Sequence, residues 1–180
     1  VFRAYYSMPD DMVDEQGRPV NALYGFCRFL GDFIEQVNPE HMAVLWDESL
    51  ARSFRNDIYP AYKANREPAP PELERQFHQC RAFTQALGIV GHGHPRYEAD
   101  DLIGTLVERG RRQGLPSTIV SRDKDLAQLV SQHDVFWDFS GRGRISYAQI
   151  AEFFGVCSEQ IADYLALAGD AVDNIPGVPG

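Results

Sequence analysis

The chain predicts an α/β fold with a mainly parallel central sheet and helices on both of its faces. Short apolar runs, Met42 to Trp46, Ser117 to Ser121 and Val135 to Trp137, have the length and the β-branched or aromatic content of buried strands. Longer segments with apolar residues at helical spacing lie between them, and such alternation implies parallel strands covered by helices. Acidic residues gather where these elements meet turns: Asp47, then Glu98-Ala99-Asp100-Asp101, then Asp123-Lys124-Asp125, then Asp170 with Asp173. An open α/β sheet presents its ligand-binding edge at the ends of its strands.

Taken in order, residues 1–19 are polar and turn-rich. From Val20 to Val37 the positions Leu23, Phe26, Leu30, Phe33, Ile34 and Val37 predict a core-facing helix. Met42 to Trp46 predicts a buried strand running into Asp47. Ser53 to Arg66 mixes basic and aromatic residues, is followed by Glu67-Pro68-Ala69-Pro70-Pro71, and predicts an exposed, partly helical excursion. Pro71 to Leu87 predicts a helix with Leu73, Phe77, Cys80 and Leu87 inward. Ile89-Val90 predicts a small strand entering a Gly91-to-Pro95 loop. Ala99 to Gln113 is amphipathic, with its acids in the first turn, where the helix dipole favours negative charge. Beyond the strand at 117–121, Leu126 to Val130 predicts a short helix and Val135 to Trp137 a strand. Gly141 to Gly143 then predicts a turn, and Ser146 to Phe154 and Ser158 to Ala168 predict helices.

At 180 residues and 44% hydrophobic content the chain suits one globular domain with a proper core. No apolar run approaches bilayer-spanning length and no leader precedes Val1, so a cytoplasmic, non-membrane protein is expected. Cys27, Cys80 and Cys157 are odd in number and far apart, which reads as reduced thiols. The net charge of −9 argues at first against a nucleic-acid partner. Without the eight clustered carboxylates, however, the 26 acidic residues fall to 18 against 17 Lys and Arg. Both ends read as cut, the first opening mid-pattern at Val1-Phe2-Arg3 and the second stopping in the turn Gly177 to Gly180.

Carboxylates converging on one place repel each other unless cations lie between them. Hard divalent ions take such oxygen ligands, and two ions side by side are the arrangement that cleaves phosphodiesters in line. Asp123 and Asp125, two apart, share a side of extended backbone. Glu98 and Asp101, like Asp170 and Asp173, are three apart and share a face of a helical turn. Any one cluster alone reads equally as a solvated turn or N-cap; four at element boundaries predict a metal-dependent nuclease. His92-Gly93-His94 has a spacing that zinc sites use, but no cysteine accompanies it and zinc is not expected. Trp46 and Trp137 sit within strand-like runs and read as core.

Five segments in one order carry a resemblance: Phe54-Arg55, Tyr62 to Arg66, Glu98 to Leu102, Ser121 to Leu126, and Gly169 to Gly180. They closely resemble the 5′ nuclease family, comprising flap endonucleases, the 5′→3′ exonuclease domain of bacterial DNA polymerase I and its stand-alone relatives. Asn21 to Phe26 resembles the family as well, so the match covers essentially the whole chain. The resemblance implies a PIN-like 5′ nuclease fold with a helical arch at about residues 52–72. It implies an α/β catalytic core over 1–145 and the start of a helix–hairpin–helix element over 146–180, in one domain truncated at both ends.

It also implies roles. Asp47, Glu98, Asp100 and Asp101 would bind a first Mg²⁺, with Asp123, Asp125, Asp173 and the nearby Asp170 binding a second; Mn²⁺ is the alternative ion. Lys63 and Arg66 of the arch would steady the scissile phosphate. Tyr62 reads as a base-stacking platform or as core packing. Arg55 reads as a phosphate contact or a structural ion pair, and Arg122 as a phosphate contact. Gly177, Val178 and Gly180 would turn backbone N–H groups toward a duplex phosphate, with K⁺ beside the hairpin. The expected substrate is DNA bearing a 5′ flap or 5′ end, handled by a monomer in replication or repair.

The family also carries an Asp on a first strand just before the segment matching Phe2 to Tyr5, and this chain lacks that strand. A DNA-structure-binding module with little or no turnover is therefore the second reading. An Asp-nucleophile phosphatase needs its Asp-x-Asp after the first strand, whereas Asp123 and Asp125 fall late. A small PIN-type ribonuclease would lack both the Tyr62-to-Arg66 segment and the Ile175-to-Gly180 hairpin.

Overall fold

The computed structural model describes residues 1–48, 53–139, 141 and 143–179. In chain order the elements are α1 (Phe2–Ser7), α2 (Asn21–Val37), β1 (Ala43–Asp47), α3 (Phe54–Ile58), α4 (Pro71–Ala86), β2 (Val90–His94) and α5 (Ala99–Arg112). There follow β3 (Thr118–Val120), a 3₁₀ helix (Lys124–Leu129), β4 (Val135–Asp138), β5 (Gly143–Ser146), α6 (Tyr147–Phe154), a 3₁₀ turn (Ser158–Gln160) and α7 (Ile161–Ala168). They form two compact units, Val1–Ala51 with Glu67–Gly93, and Arg52–Arg66 with His94–Gly180. No helix among the described residues is long and apolar enough to cross a membrane.

The first unit is organised on α2. Ala22, Phe26, Leu30 and Phe33 recur at helical spacing and are buried. Phe26 meets Trp46 of β1 at 5.6 Å between ring centroids, and Trp46 meets Phe77 of α4 edge-on at 5.2 Å. Cys80 completes this cluster, and burial pushes its thiol up to about 12. Two buried amides resolve the polar end of α2. Gln76 Nε2 donates to Asn21 Oδ1 at 3.1 Å, and its Oε1 accepts from Leu23 N at 3.0 Å. Asn21 Nδ2 donates to Tyr5 O at 2.7 Å, tying α1 to the same point. β1 pairs with β2 in a two-stranded sheet.

The second unit holds a three-stranded sheet in the order β3-β4-β5. β3 runs parallel to β4 with Ile119 opposite Phe136, and β5 runs antiparallel to β4 with Ile145 opposite Phe136. These three side chains point one way and pack with Val107, Leu126, Ala127, Val130, Ile150 and Ile161. Asp134 is buried but fully engaged. It accepts from Arg111 Nη2 and Ser117 N at 2.8 Å, Ser131 Oγ at 2.7 Å and Ser131 N at 3.1 Å. A buried carboxylate is tolerated on those terms.

Four expectations change. The first 19 residues are not all turn, because α1 forms and lies against α2, where a Cβ added at Gly25 would fall 2.8 Å from Ala4 Cβ. His92 and His94 sit in a strand rather than a loop, since pairing with β1 supplies backbone partners that side-chain propensity does not advertise. Gly143 to Ser146 is a strand rather than the end of a turn and the start of a helix. Leu87 caps α4 and is 48% exposed instead of facing inward.

Candidate active site

The acids and bases of the second unit meet around the N-terminus of α5. Glu98 precedes this helix, and its N–H donates to Asp101 Oδ2 at 2.9 Å, so the first turn is closed by its own carboxylate. Three cations from the 54–66 segment reach these acids. Arg55 makes a two-pronged contact with Asp101, Nη1 to Oδ2 and Nη2 to Oδ1, both 2.8 Å. Lys63 Nζ donates to Glu98 Oε2 at 2.7 Å and stands 3.8 Å from Asp173 Oδ2. Arg66 Nη2 pairs with Asp173 Oδ1.

Tyr62 lies inside this network. Its side chain is buried, and its hydroxyl is 3.1 Å from both Glu98 Oε2 and Asp173 Oδ2, with one proton to give between them. Lys63 Nζ lies 4.8 Å from the ring centroid. Burial, then the charges of Glu98 and Asp173, hold the phenol far above its ordinary pKa, so it is a donor throughout the physiological range. At Asp101, burial pushes the carboxyl up, but the Arg55 hydrogen bonds, the Glu98 N–H and the charges of Arg55 and Lys63 hold it below the ordinary value.

A second acidic group follows β3. Asp123 caps the 3₁₀ helix by accepting from Asp125 N at 3.0 Å. Asp170 closes its own turn, accepting from Val172 N at 2.7 Å, while its backbone pairs with Ile175 in both directions. Burial raises the Asp125 carboxyl, and the charges of Asp123, Asp170 and Asp173 raise it further. Asp125 also lines a cavity of about 390 Å³ with Arg122, Lys124 and Asp138. Carboxylates that raise one another in this way repel each other, and a nearby divalent cation eases that repulsion.

Several sequence-predicted residues are placed differently from expectation. Among the described residues no three His, Cys, Asp or Glu side chains come together as joint ligands of one ion. Oxygens of Glu98 and Asp173 face Lys63, Arg66 and Tyr62, and both oxygens of Asp101 face Arg55. Arg55 is correspondingly a structural ion pair. Tyr62 is enclosed and offers no open face to a base. Asp100 sits half-buried in the first turn of α5, and Asp47 closes β1 in the first unit.

Arg122 Nε is 3.8 Å from Asp138 Oδ1, a buried atom with no hydrogen-bond partner among the described residues. In the hairpin, Val178 N donates to Leu167 O at 2.8 Å. Gly177 packs where a Cβ would fall 2.4 Å from Ala168 O. Gly180 lies outside the described residues. Asn65 and Asn174 were not anticipated, yet both donate side-chain hydrogen bonds across the site. The positive φ of Asn174 is a conformation that Asn tolerates and the one local hint to its role.

This architecture has solved counterparts. The bacteriophage T5 D15 protein co-crystallised with metal ions matches with a TM-score of 0.75 at 22% identity, covering 88% of this chain and 63% of that one. The D15 flap endonuclease in a pseudo-enzyme-product complex with DNA and metal ions matches with a TM-score of 0.70 at 21% identity, covering 88% and 62%. The fold class is therefore the PIN-like 5′ nuclease fold.

Sequence comparison narrows the class. Residues 1–155 match the family described as the 5′-3′ exonuclease, N-terminal resolvase-like domain, and the chain belongs to that family. DNA polymerase I of Rhizobium leguminosarum is 39% identical over 187 residues, covering 100% of this chain and 18% of the polymerase. The 5′-3′ exonuclease of Aquifex aeolicus is 37% identical over 180 residues, covering 100% of this chain and 62% of that protein. The chain thus spans less than two thirds of either relative.

Proposed function

We propose that this chain is the catalytic part of a metal-dependent 5′→3′ exonuclease and structure-specific 5′ flap endonuclease that hydrolyses DNA phosphodiesters. The observation that carries the reading is the meeting of Lys63 and Arg66 with the Glu98 and Asp173 carboxylates, in a chain of the 5′-3′ exonuclease family. Cations poised over acids in this way can exchange a carboxylate for a phosphate, a ligand that guanidinium and ammonium groups both favour. The metal- and DNA-bound forms of the T5 D15 protein support a DNA substrate and a metal requirement.

In this reading Glu98 and Asp100 would hold one divalent ion, and Asp123, Asp125, Asp170 and Asp173 would hold a second. Bound there, Mg²⁺ or Mn²⁺ would supply the chemistry of an activated water and of charge neutralisation at the leaving oxygen. Lys63 and Arg66 orient the scissile phosphate and balance its charge. Tyr62 donates its proton within the acidic cluster and screens Glu98 from Asp173. Arg55 fixes the first turn of α5 through Asp101, so that Glu98 and Asp100 are aimed by a rigid element. The hairpin after α7, with K⁺ beside it, grips the duplex. The setting is replication or repair in a bacterial-type cytoplasm, and the protein acts as a monomer.

The test is cleavage of a 5′-labelled flap duplex with Mg²⁺ or with chelator, comparing the parent chain with Asp100→Ala and Asp123→Ala. Magnesium-dependent cutting near the flap junction, lost by at least about 100-fold in both variants while far-ultraviolet circular dichroism is unchanged, is the expected outcome. Flap binding without cutting in the parent would reject the enzyme and leave a DNA-binding module.

A further inference from the structure

We infer that Asn174 is a positioning residue: it clamps the basic segment 61–66 onto the turn formed by residues 170–175 and so sets where Lys63 and Arg66 stand. The inference rests on the nuclease reading for its consequence, but not for its geometry. Beside the side-chain contacts of Tyr62 and Arg66 with Asp173, three hydrogen bonds to backbone carbonyls cross between the two segments. Asn174 Nδ2 donates to Ala61 O at 2.7 Å, Lys63 N donates to Asp173 O at 3.0 Å, and Asn65 Nδ2 donates to Ala171 O at 3.0 Å. Asn56 of α3 adds a fourth anchor, donating to Tyr62 O at 2.8 Å. Each carbonyl of the Ala61-Tyr62 pair is therefore held by an asparagine amide from a different element.

Backbone conformation says why such holding is needed. Lys63 has φ of 55° and Asn174 has φ of 58°, both left-handed. Asparagine enters that region readily, whereas a long side chain such as lysine does so at a cost and stays there only when its surroundings over-determine it. The crossing hydrogen bonds are those surroundings. They aim the Lys63 ammonium at Glu98 and Asp173, and they place Arg66 on Asp173 three residues later.

A bland role in the turn alone would be served by any residue tolerant of positive φ. Asn174→Gly separates the two roles, because it keeps the backbone freedom and removes only the amide donor. The first readout is hydrogen exchange of the backbone amides of Ala61 to Arg66 in the protein without DNA. Exchange at Lys63 is expected to quicken about tenfold or more in the variant; an unchanged rate overturns the inference whether or not the protein cuts DNA.

The second readout is single-turnover cleavage of the flap duplex, with affinity measured separately by anisotropy in chelator. A rate lower by about 10- to 100-fold, with affinity held within about twofold, is expected of displaced cations. In a background carrying both Lys63→Ala and Arg66→Ala the same substitution should cost less than about twofold more, because the groups it positions are gone. Additive losses, or a loss carried wholly by affinity, overturn the inference. A parent chain that never cuts rejects the nuclease reading instead, and the exchange result still decides the clamp. Asn65→Ala, at an exposed position, removes the neighbouring bond and should show the same pattern more weakly if Asn174→Gly fails to fold; no change in either readout overturns the clamp.

Discussion

Arg55 and Asp101 make the most directional contact in the site, with two parallel bonds of 2.8 Å and both side chains less than a third exposed. A lysine keeps the charge but not the fork, so Arg55→Lys should lose nearly as much stability as Arg55→Ala, about 1–2 kcal/mol by urea unfolding at neutral pH. The pH dependence has a definite sign. Asp101 is held below its ordinary pKa, so its contribution is present above the unfolded value and lost as pH falls through the folded one. The difference between parent and Arg55→Ala should therefore narrow below about pH 4. A constant difference from pH 7 to pH 3 would mean that packing, not charge, explains the loss. At this scale the identities of the acids and bases were open to a reader of the sequence, but their pairings were not. Arg55 and Asp101 lie 46 positions apart, and Arg66 and Asp173 lie 107 apart.

Two glycines of α2 show how elements fix one another. A Cβ at Gly25 would sit 2.8 Å from Ala4 Cβ and 3.1 Å from Met8 Cγ, whereas at Gly31 it would meet nothing within 4 Å. Gly25 accepts the helix cost of glycine so that α1 can lie against α2, and Gly31 gains nothing comparable. Gly25→Leu should thus push α1 away and lower stability by about 2 kcal/mol, while Gly31→Ala should raise it by roughly 0.5–1 kcal/mol. Equal effects of the two in chemical denaturation would show that α1 does not depend on that approach. The amphipathic helices α2, α4 and α5 could be placed from periodicity alone. The short α1 could not, because Phe2 and Tyr6 stay 57% and 64% exposed and leave no apolar stripe to read.

For the molecule as a whole, charge is the dominant bias, with a net −9 and part of it gathered around α5 and the turn after α7. A divalent ion that binds the folded chain through those acids stabilises it by mass action, about 2.7 kcal/mol at one hundred times the dissociation constant. Magnesium should therefore raise Tm by roughly 5–10 °C, and chelator should reverse the shift. Sodium chloride at equal ionic strength should do much less, since it only screens. Equal shifts with both salts would argue that the acids hold no ion at a site.

Sequence alone determined where most helices and strands fall, and that carboxylates stand at their ends. Both are local properties, set by spacing along a few turns of chain. The tertiary structure decided everything that depends on a partner far away. β2 is a strand although it reads Val-Gly-His-Gly-His, because β1 pairs with it. β5 exists because Ile145 lies opposite Phe136 on β4 and shares its core. Tyr62 looked equally suited to solvent and to core, and became a buried donor because Glu98 and Asp173, 36 and 111 positions away, supply its acceptors. A hydrogen bond or a buried contact needs two partners, and periodicity describes only one.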